Sequence, residues 1–312
     1  MVEIFLKTLP FFALIGLGFG AARRGFFSAD ATAYLTKFVF YFALSAMLFG
    51  FSANLSLAET FSWAFVGAYL TGCLAIYVLA FGIALARRRP VPEAAVEAQC
   101  SVIGNTGFLG VPMLVVLMGE AAAAPVLMVL AVDLVVFSSL ITMFITGGGG
   151  GRPGKVLAQA GLGLVKNPMI VSMALGLTVS SIGMPIPVPV NEFLAILGAA
   201  ATPCALFAIG ASLAGKSAER LSVAGWLTFA KLVLHPTAVA VAALVIFPVN
   251  TFDAAVMIAA AALPVAGNVY ILAQHYGVAP QRVSAAILIS TIVSIVTVSV
   301  VIAWVSALAG LS

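Results

Sequence analysis

Charge is what this chain lacks most. Asp, Glu, Lys and Arg make up 8% of its 312 residues, against roughly 25% in a soluble domain. Hydrophobic residues supply 63%, and the mean hydropathy is +1.21. So little charge excludes a soluble globular fold and points to a polytopic membrane protein. Cysteine is scarce as well. Cys73, Cys100 and Cys204 all lie inside apolar stretches without metal-ligand spacing. A disulfide framework and a metal centre are therefore excluded, and the three read as small buried side chains. Fourteen basic residues outnumber ten acidic ones. They are scattered between apolar stretches rather than gathered on one aromatic-interleaved face, so nucleic acid is not a partner. There is no Gly-x-Ser-Gly run and no pair of helical Asp residues, so an intramembrane enzyme is only a distant alternative. The beginning of the chain does not read as a cleaved signal peptide. Glu3 comes early and Arg23-Arg24 follow the apolar core, so the first segment is expected to be a retained helix.

What the chain has is a series of apolar runs long enough to span a bilayer. Ten spans are expected, over 4–22, 31–50, 61–86, 97–119, 122–146, 167–183, 190–214, 222–248, 252–277 and 281–309. Basic residues fall in alternate connections: Arg23 and Arg24; Arg87, Arg88 and Arg89; Arg152, Lys155 and Lys166; Lys216 and Arg220; and Arg282. The positive-inside rule puts these in the cytoplasm and both termini outside. Lys37 and Lys7 read as snorkelling residues near span ends, and Glu97 and Glu120 as interfacial residues flanking span four. Residues 147–166 open on Gly147-Gly148-Gly149-Gly150-Gly151 and read as a flexible cytoplasmic linker. It is not a phosphate loop, since no Gly-Lys-Ser/Thr end follows. It separates a first repeat, 1–146, from a second, 167–312. Each holds five spans, so the second enters the membrane from the opposite side.

The halves also resemble each other. Pro10, Leu17, Gly18 and Gly25 recur at a shift of 158 as Pro168, Leu175, Gly176 and Gly183, and Leu48-Phe49 recurs as Leu206-Phe207. The same shift lays Thr106 on Pro264 and Gly110 on Asn268. Each of these regions interrupts an apolar span with helix breakers: Gly104-Asn105-Thr106-Gly107-Phe108-Leu109-Gly110-Val111-Pro112 in one half, Pro264-Val265-Ala266-Gly267-Asn268 in the other. A broken helix at membrane depth is tolerated only against protein or a water-filled cavity. Paired breaks in two halves mark the binding site of a transporter built from inverted repeats.

Asn105 and Asn268 are the leading binding candidates. Either they contact a ligand, helped by the positive ends of half-helices, or they only satisfy the broken backbone. Pro112 and Pro264 are expected to set where the helices break. Thr106, Gly107, Gly110 and Gly267 are expected to shape the crossing. Ser45 and Pro203, mates at the 158 shift, are candidates for lining the path. Asp133 and Lys231 lie near mid-membrane, where charge is costly and defaults to a functional hypothesis. They form an ion pair, compensate half-helix dipoles, or bind a coupling proton or sodium ion. His235 is a proton relay or marks a kink at Pro236.

The run from Gly104 to Leu114 resembles the fourth-helix motif of the auxin efflux carrier family. Leu263-Pro264-Val265-Ala266-Gly267-Asn268 through Gln274-His275-Tyr276-Gly277 is similar to its ninth-helix motif, and Thr202-Pro203-Cys204-Ala205-Leu206-Phe207 through Leu213 to its seventh. The resemblance covers essentially the whole chain. It implies an all-α membrane fold of ten helices like that of bile-acid and sodium/proton transporters. Helices 1, 2, 6 and 7 would form a scaffold, and helices 3–5 and 8–10 a transport domain in which helices four and nine cross. It implies a secondary transporter of a small organic anion: a carboxylate or dicarboxylate such as malonate or malate, or an auxin-like acid. The short linker fits the bacterial branch, hence an inner membrane, and the family allows a homodimer. The rival on the same fold is a cation/proton antiporter using Asp133; a channel is more distant.

Overall fold

The computed structural model describes residues 2–55, 61–147, 153–215 and 221–310. Among them the only extended pairing is an isolated antiparallel bridge between Gly104 and Val265; everything else is helix or connection. The helices are α1 (Val2–Arg23), α2 (Ala29–Ala53), α3 (Trp63–Ala86), α4 (Val91–Val102), α5 (Thr106–Met118), α6 (Glu120–Gly147) and α7 (Pro153–Lys166). They continue as α8 (Pro168–Ser181), α9 (Val188–Leu213), α10 (Leu221–Ile246), α11 (Thr251–Ala261), α12 (Gly267–His275) and α13 (Pro280–Leu308). Among the described residues, seven of these (α1, α2, α3, α6, α9, α10 and α13) are long and apolar enough to cross a membrane, while α5, α8 and α11 are shorter apolar helices.

Helix starts follow local chemistry. Ser28, Ser62, Asn167 and Asn250 accept first-turn N–H groups with their side chains, supplying bonds the helix itself lacks. Proline stands in the first turn of α4, α8, α9 and α13, where its missing N–H costs nothing.

Two expectations about the connections are corrected. The linker is not flexible throughout: Pro153–Lys166 is a helix. The expectations for Gly148, Gly149, Gly150, Gly151, Arg152, Lys216 and Arg220 lie outside the described residues. The helix expected to open the fourth span at 97 starts at Val91. Its first turns are polar in sequence, but Arg87 and Arg282 engage Glu93 and Glu97 between them, and Glu97 is buried in the helical bundle.

The densest packing groups the helices into two sets, which meet where α1 touches α13 and α9 touches α5. α1 lies along α9, and α2 lies along α8 and α9. α3, α4, α6, α10, α11 and α13 pack on one another. The closest approaches in the first set are made at glycines, the nearest at Gly210 of α9, where a β-carbon would stand 1.8 Å from the carbonyl oxygen of Ile15. A β-carbon at Gly18 would stand 2.0 Å from the carbonyl oxygen of Phe207, and one at Gly176 would stand 2.7 Å from that of Phe49. Only a residue without a side chain lets two helix backbones approach so closely. The 158-residue shift exchanges the latter two contacts: Gly18 becomes Gly176 and Phe49 becomes Phe207. The same shift relates two pairs of positive-φ helix ends, Gly25 with Gly183 and Gly119 with Gly277.

Candidate functional site: the helix crossing

The helix formed by α4 and α5 is interrupted at Ile103–Asn105, and that of α11 and α12 at Ala262–Ala266. Each interruption leaves backbone groups without an intrahelical partner at a depth where water is scarce. They partner one another. Asn105 N–H donates to Pro264 O at 2.8 Å, and Ala266 N–H donates to Ile103 O at 3.1 Å. A shift of 161 residues exchanges these two bonds, carrying Ile103 to Pro264 and Asn105 to Ala266. This register sets Ile103 against Pro264 at the crossing, where the 158-residue shift sets Thr106. Val265 N–H, also at the crossing, goes to Ser290 Oγ at 3.1 Å.

Charged side chains cover the helix ends around the break. Lys231 is fully buried, and its Nζ donates to Ala261 O at 2.6 Å, at the end of α11. Asp133 of α6 is buried beside the start of α5, where Oδ2 accepts from Thr106 Oγ1 at 3.3 Å, and Oδ1 accepts from Tyr69 OH at 2.8 Å. A cation at a helix C-terminus and an anion near an N-terminus both oppose the local dipole. Asp133 and Lys231 do not form the direct ion pair that was one expectation; each serves a different half-helix. His235 Nδ1 lies 3.1 Å from both Lys231 Nζ and Ala261 O, and its Nε2 lies 3.0 Å from Cys73 Sγ. Asp133, Lys231 and Thr106 each sit in a π-helical turn. Such widened turns are frequent at functional sites. The turn over Ala230–Leu234 also accommodates Pro236, whose ring cannot continue a regular ladder.

The asparagines flank the crossing. Asn105 stands at the start of α5, 7% exposed, and its side chain caps nothing. Asn268 stands in the first turn of α12, and its Oδ1 is buried without a hydrogen-bond partner. Ala266, which opens α12, supplies no side-chain cap either. The structure thus brings Asn105, Thr106, Pro264, Asn268, Asp133, Lys231 and His235 to one region. Gly110 faces the crossing, since a β-carbon there would meet Leu263 Cδ1 at 2.6 Å; at Gly107 it would meet Met169 Cε of α8, also at 2.6 Å. Phe108 stacks on Phe40 of α2 with centroids 6.5 Å apart.

Other assignments change. Pro112 does not set the break, which lies seven residues earlier; it follows the π turn at Thr106–Gly110. Gly267 is not needed for close approach, because a β-carbon there meets open space, whereas Gly104 is crowded by Ala260 O and Lys231 Nζ, each at 3.3 Å. Ser45 Oγ donates to Phe40 O within its own helix, and Pro203 is exposed within α9. Glu97 is not interfacial. It is 1% exposed and pairs with Arg87 and with Arg282, the latter at 3.0 Å, while Arg282 also reaches Glu93 at 2.7 Å. The sequence reading missed Tyr69, Ser290 and Gln99. Tyr69 and Cys73 are spaced i, i+4, a helical-face signal that was available. Gln99 is a polar residue within an apolar stretch.

An all-helical chain of this hydrophobicity, with a polar site buried where two broken helices meet, is an integral membrane protein of the transporter class. Comparison with known proteins gives the family. A family model described as "Membrane transport protein" matches residues 3–302. The chain belongs to this family, that of the auxin efflux carriers. It is 31% identical, over 96% of its own length and 95% of the relative's, to a protein of Rhizobium meliloti named "Putative malonate transporter". It is 26% identical to "Uncharacterized transporter YfdV" of Escherichia coli K12, over 95% of this chain and 96% of the relative. The protein is a membrane transporter and not an enzyme.

Proposed function

We propose that the protein is a secondary carrier for a small organic anion, a carboxylate or dicarboxylate such as malonate or malate, working by elevator-type alternating access. The observation that carries this reading is the pair of uncommitted asparagine amides, Asn105 and Asn268, beside two half-helix starts that no side chain caps. Free N–H groups and the partial positive charge of a helix start suit a carboxylate. The malonate in the name of the Rhizobium relative has the same chemistry. Asp133 supports the cation/proton antiporter less well, because both its oxygens already accept hydrogen bonds.

The exchanged glycine contacts and crossing bonds support two inverted five-helix repeats. The first repeat is 1–146 and the second 167–312. The two packing sets support a scaffold of α1, α2, α8 and α9 against which the remaining bundle slides. On this reading α4 with α5, and α11 with α12, are spans four and nine, giving ten spans. The basic connections face the cytoplasm of a bacterial inner membrane, and both termini are outside. A proton or sodium gradient drives uptake, and two copies pair as a homodimer. The test is uptake of labelled malonate and malate into proteoliposomes under an imposed pH or sodium gradient. Saturable uptake whose KM rises about tenfold in Asn105→Ala, the equivalent of ~1.4 kcal/mol of binding, supports the assignment. Unchanged uptake in that variant sinks it.

A further inference from the structure

Gln99 is 2% exposed, and its Oε1 is buried without a partner among the described residues. It lies one turn before the break in α4. Its backbone oxygen accepts from Ile103 N–H at 2.9 Å, and Ile103 is the residue whose carbonyl receives the crossing bond from Ala266. Residues four apart share a helix face, so the Gln99 side chain lies on the Ile103 side of α4. Asn268 lies two residues past Ala266, with its Oδ1 likewise buried and unpaired. α12 packs on α4. The two half-helices on this side of the crossing therefore each carry an amide oxygen with no donor. A buried acceptor left unpaired is costly, and native structures rarely keep one without a reason.

Positive charge is limited here. Lys231 donates to the neutral Ala261 O and its charge is offset by Asp133, and Arg87 and Arg282 are paired with Glu93 and Glu97. What remains is two half-helix starts, each worth about half an elementary charge. That field suits one negative charge, not two. A fully ionised dicarboxylate also has only acceptors to offer, whereas a protonated carboxyl has an O–H donor.

We infer that the transported species is a monoanion retaining one acidic hydrogen, such as the half-protonated form of a dicarboxylic acid, with Gln99 as the specificity-determining residue that accepts that hydrogen. This rests on the organic-anion carrier reading. The proton stays on the substrate through the membrane and dissociates in bulk water on arrival. No protein group needs to gain or lose it.

The experiment is labelled malonate exchange in proteoliposomes with equal pH on both sides, so that no proton gradient contributes. Two competitors of fixed single charge separate the contributions. Malonamate carries N–H donors; monomethyl malonate carries none. Above the second ionisation of malonate, the apparent KM for total malonate should rise about tenfold per pH unit, following the monoanion fraction. Malonamate should compete at least about tenfold better than the half-ester, and Gln99→Leu should remove that advantage while leaving half-ester inhibition in place. Ionisable protein groups also surround α4: Glu93, Glu97 and Cys100 on it, Arg87 just before it, Tyr69, Cys73 and Tyr77 on α3, Asp133 on α6, Lys231 on α10, Arg282 on α13, and Tyr270 and His275 on α12. They act on malonamate as well, so its pH response is the baseline. A KM for malonate that follows the malonamate baseline, or a half-ester that competes as well as malonamate, overturns the inference. If Gln99→Leu does not fold, the wild-type competition alone decides. Absence of saturable exchange, or exchange indifferent to Asn105→Ala, would instead overturn the carrier reading beneath it.

Discussion

Replacing Lys231 by Met tests whether the break in the second half depends on a buried charge. Methionine keeps most of the volume and removes the ammonium. The ammonium donates to Ala261 O at 2.6 Å from a fully buried position. A hydrogen bond from a charged group contributes about 1.5–3 kcal/mol. The carbonyl is not wholly orphaned, because His235 Nδ1 lies 3.1 Å from it. The larger loss comes from Asp133, left as a buried anion with no cation in its neighbourhood. The two groups are not in direct contact, so the loss lies at the low end of the cost of breaking a buried ion pair, about 3 kcal/mol. For a chain of this size that corresponds to a fall in Tm of roughly 6 °C. The assay is thermal unfolding of the purified protein in detergent, read by the monodisperse fraction remaining after heating. Adding Asp133→Asn should recover part of the loss, because the stranded charge goes too. If Lys231→Met melts within a degree of the wild type, the ammonium does not hold the end of α11 and the dipole argument fails.

Two further outcomes follow from packing and pairing. Gly18→Ala should abolish recovery of monodisperse protein, because its methyl would stand 2.0 Å from Phe207 O, whereas Gly20→Ala, which meets open space, should be recovered normally on size exclusion. Glu97→Gln should cost about 3 kcal/mol, since it takes from Arg282 the more buried of its two carboxylates and from Arg87 its partner, around a 1% exposed site. Glu93→Gln, at 29% side-chain exposure, should cost no more than about 1 kcal/mol in the same melting assay.

Much of the site was legible in the chain because the membrane makes certain residues conspicuous. Asn105, Pro264 and Asn268 stood out as helix breakers and amides in apolar runs, and the structure brings them to one crossing. Asp133 and Lys231 stood out for their depth. Their partners did not. Nothing in the spacing of residues 133 and 231 distinguishes a direct ion pair from two charges attached to different helix ends, because that depends on a sub-ångström placement set by α3, α5 and α11 together. Pro112 and Gly267 were misread because proline and glycine report what a backbone can do, not where it breaks. The glycine that is crowded at the crossing is Gly104. Glu97 was taken as interfacial because hydropathy cannot show that Arg87 and Arg282, one near in sequence and one far, close around it. The repeat shift of 158 residues holds for the glycine contacts and helix ends. It slips to 161 at the crossing, where the first half spends extra residues in a π turn.

The sequence by itself determined the solvent, the helical class, the family and the two places where helices fail. These depend on composition and on local backbone chemistry, which the chain carries residue by residue. The tertiary structure alone decided which orphaned backbone group meets which, which half-helix each charge serves, and which amides stay uncommitted. Those outcomes depend on contacts between segments more than a hundred residues apart, where a bond forms or is lost over a fraction of an ångström.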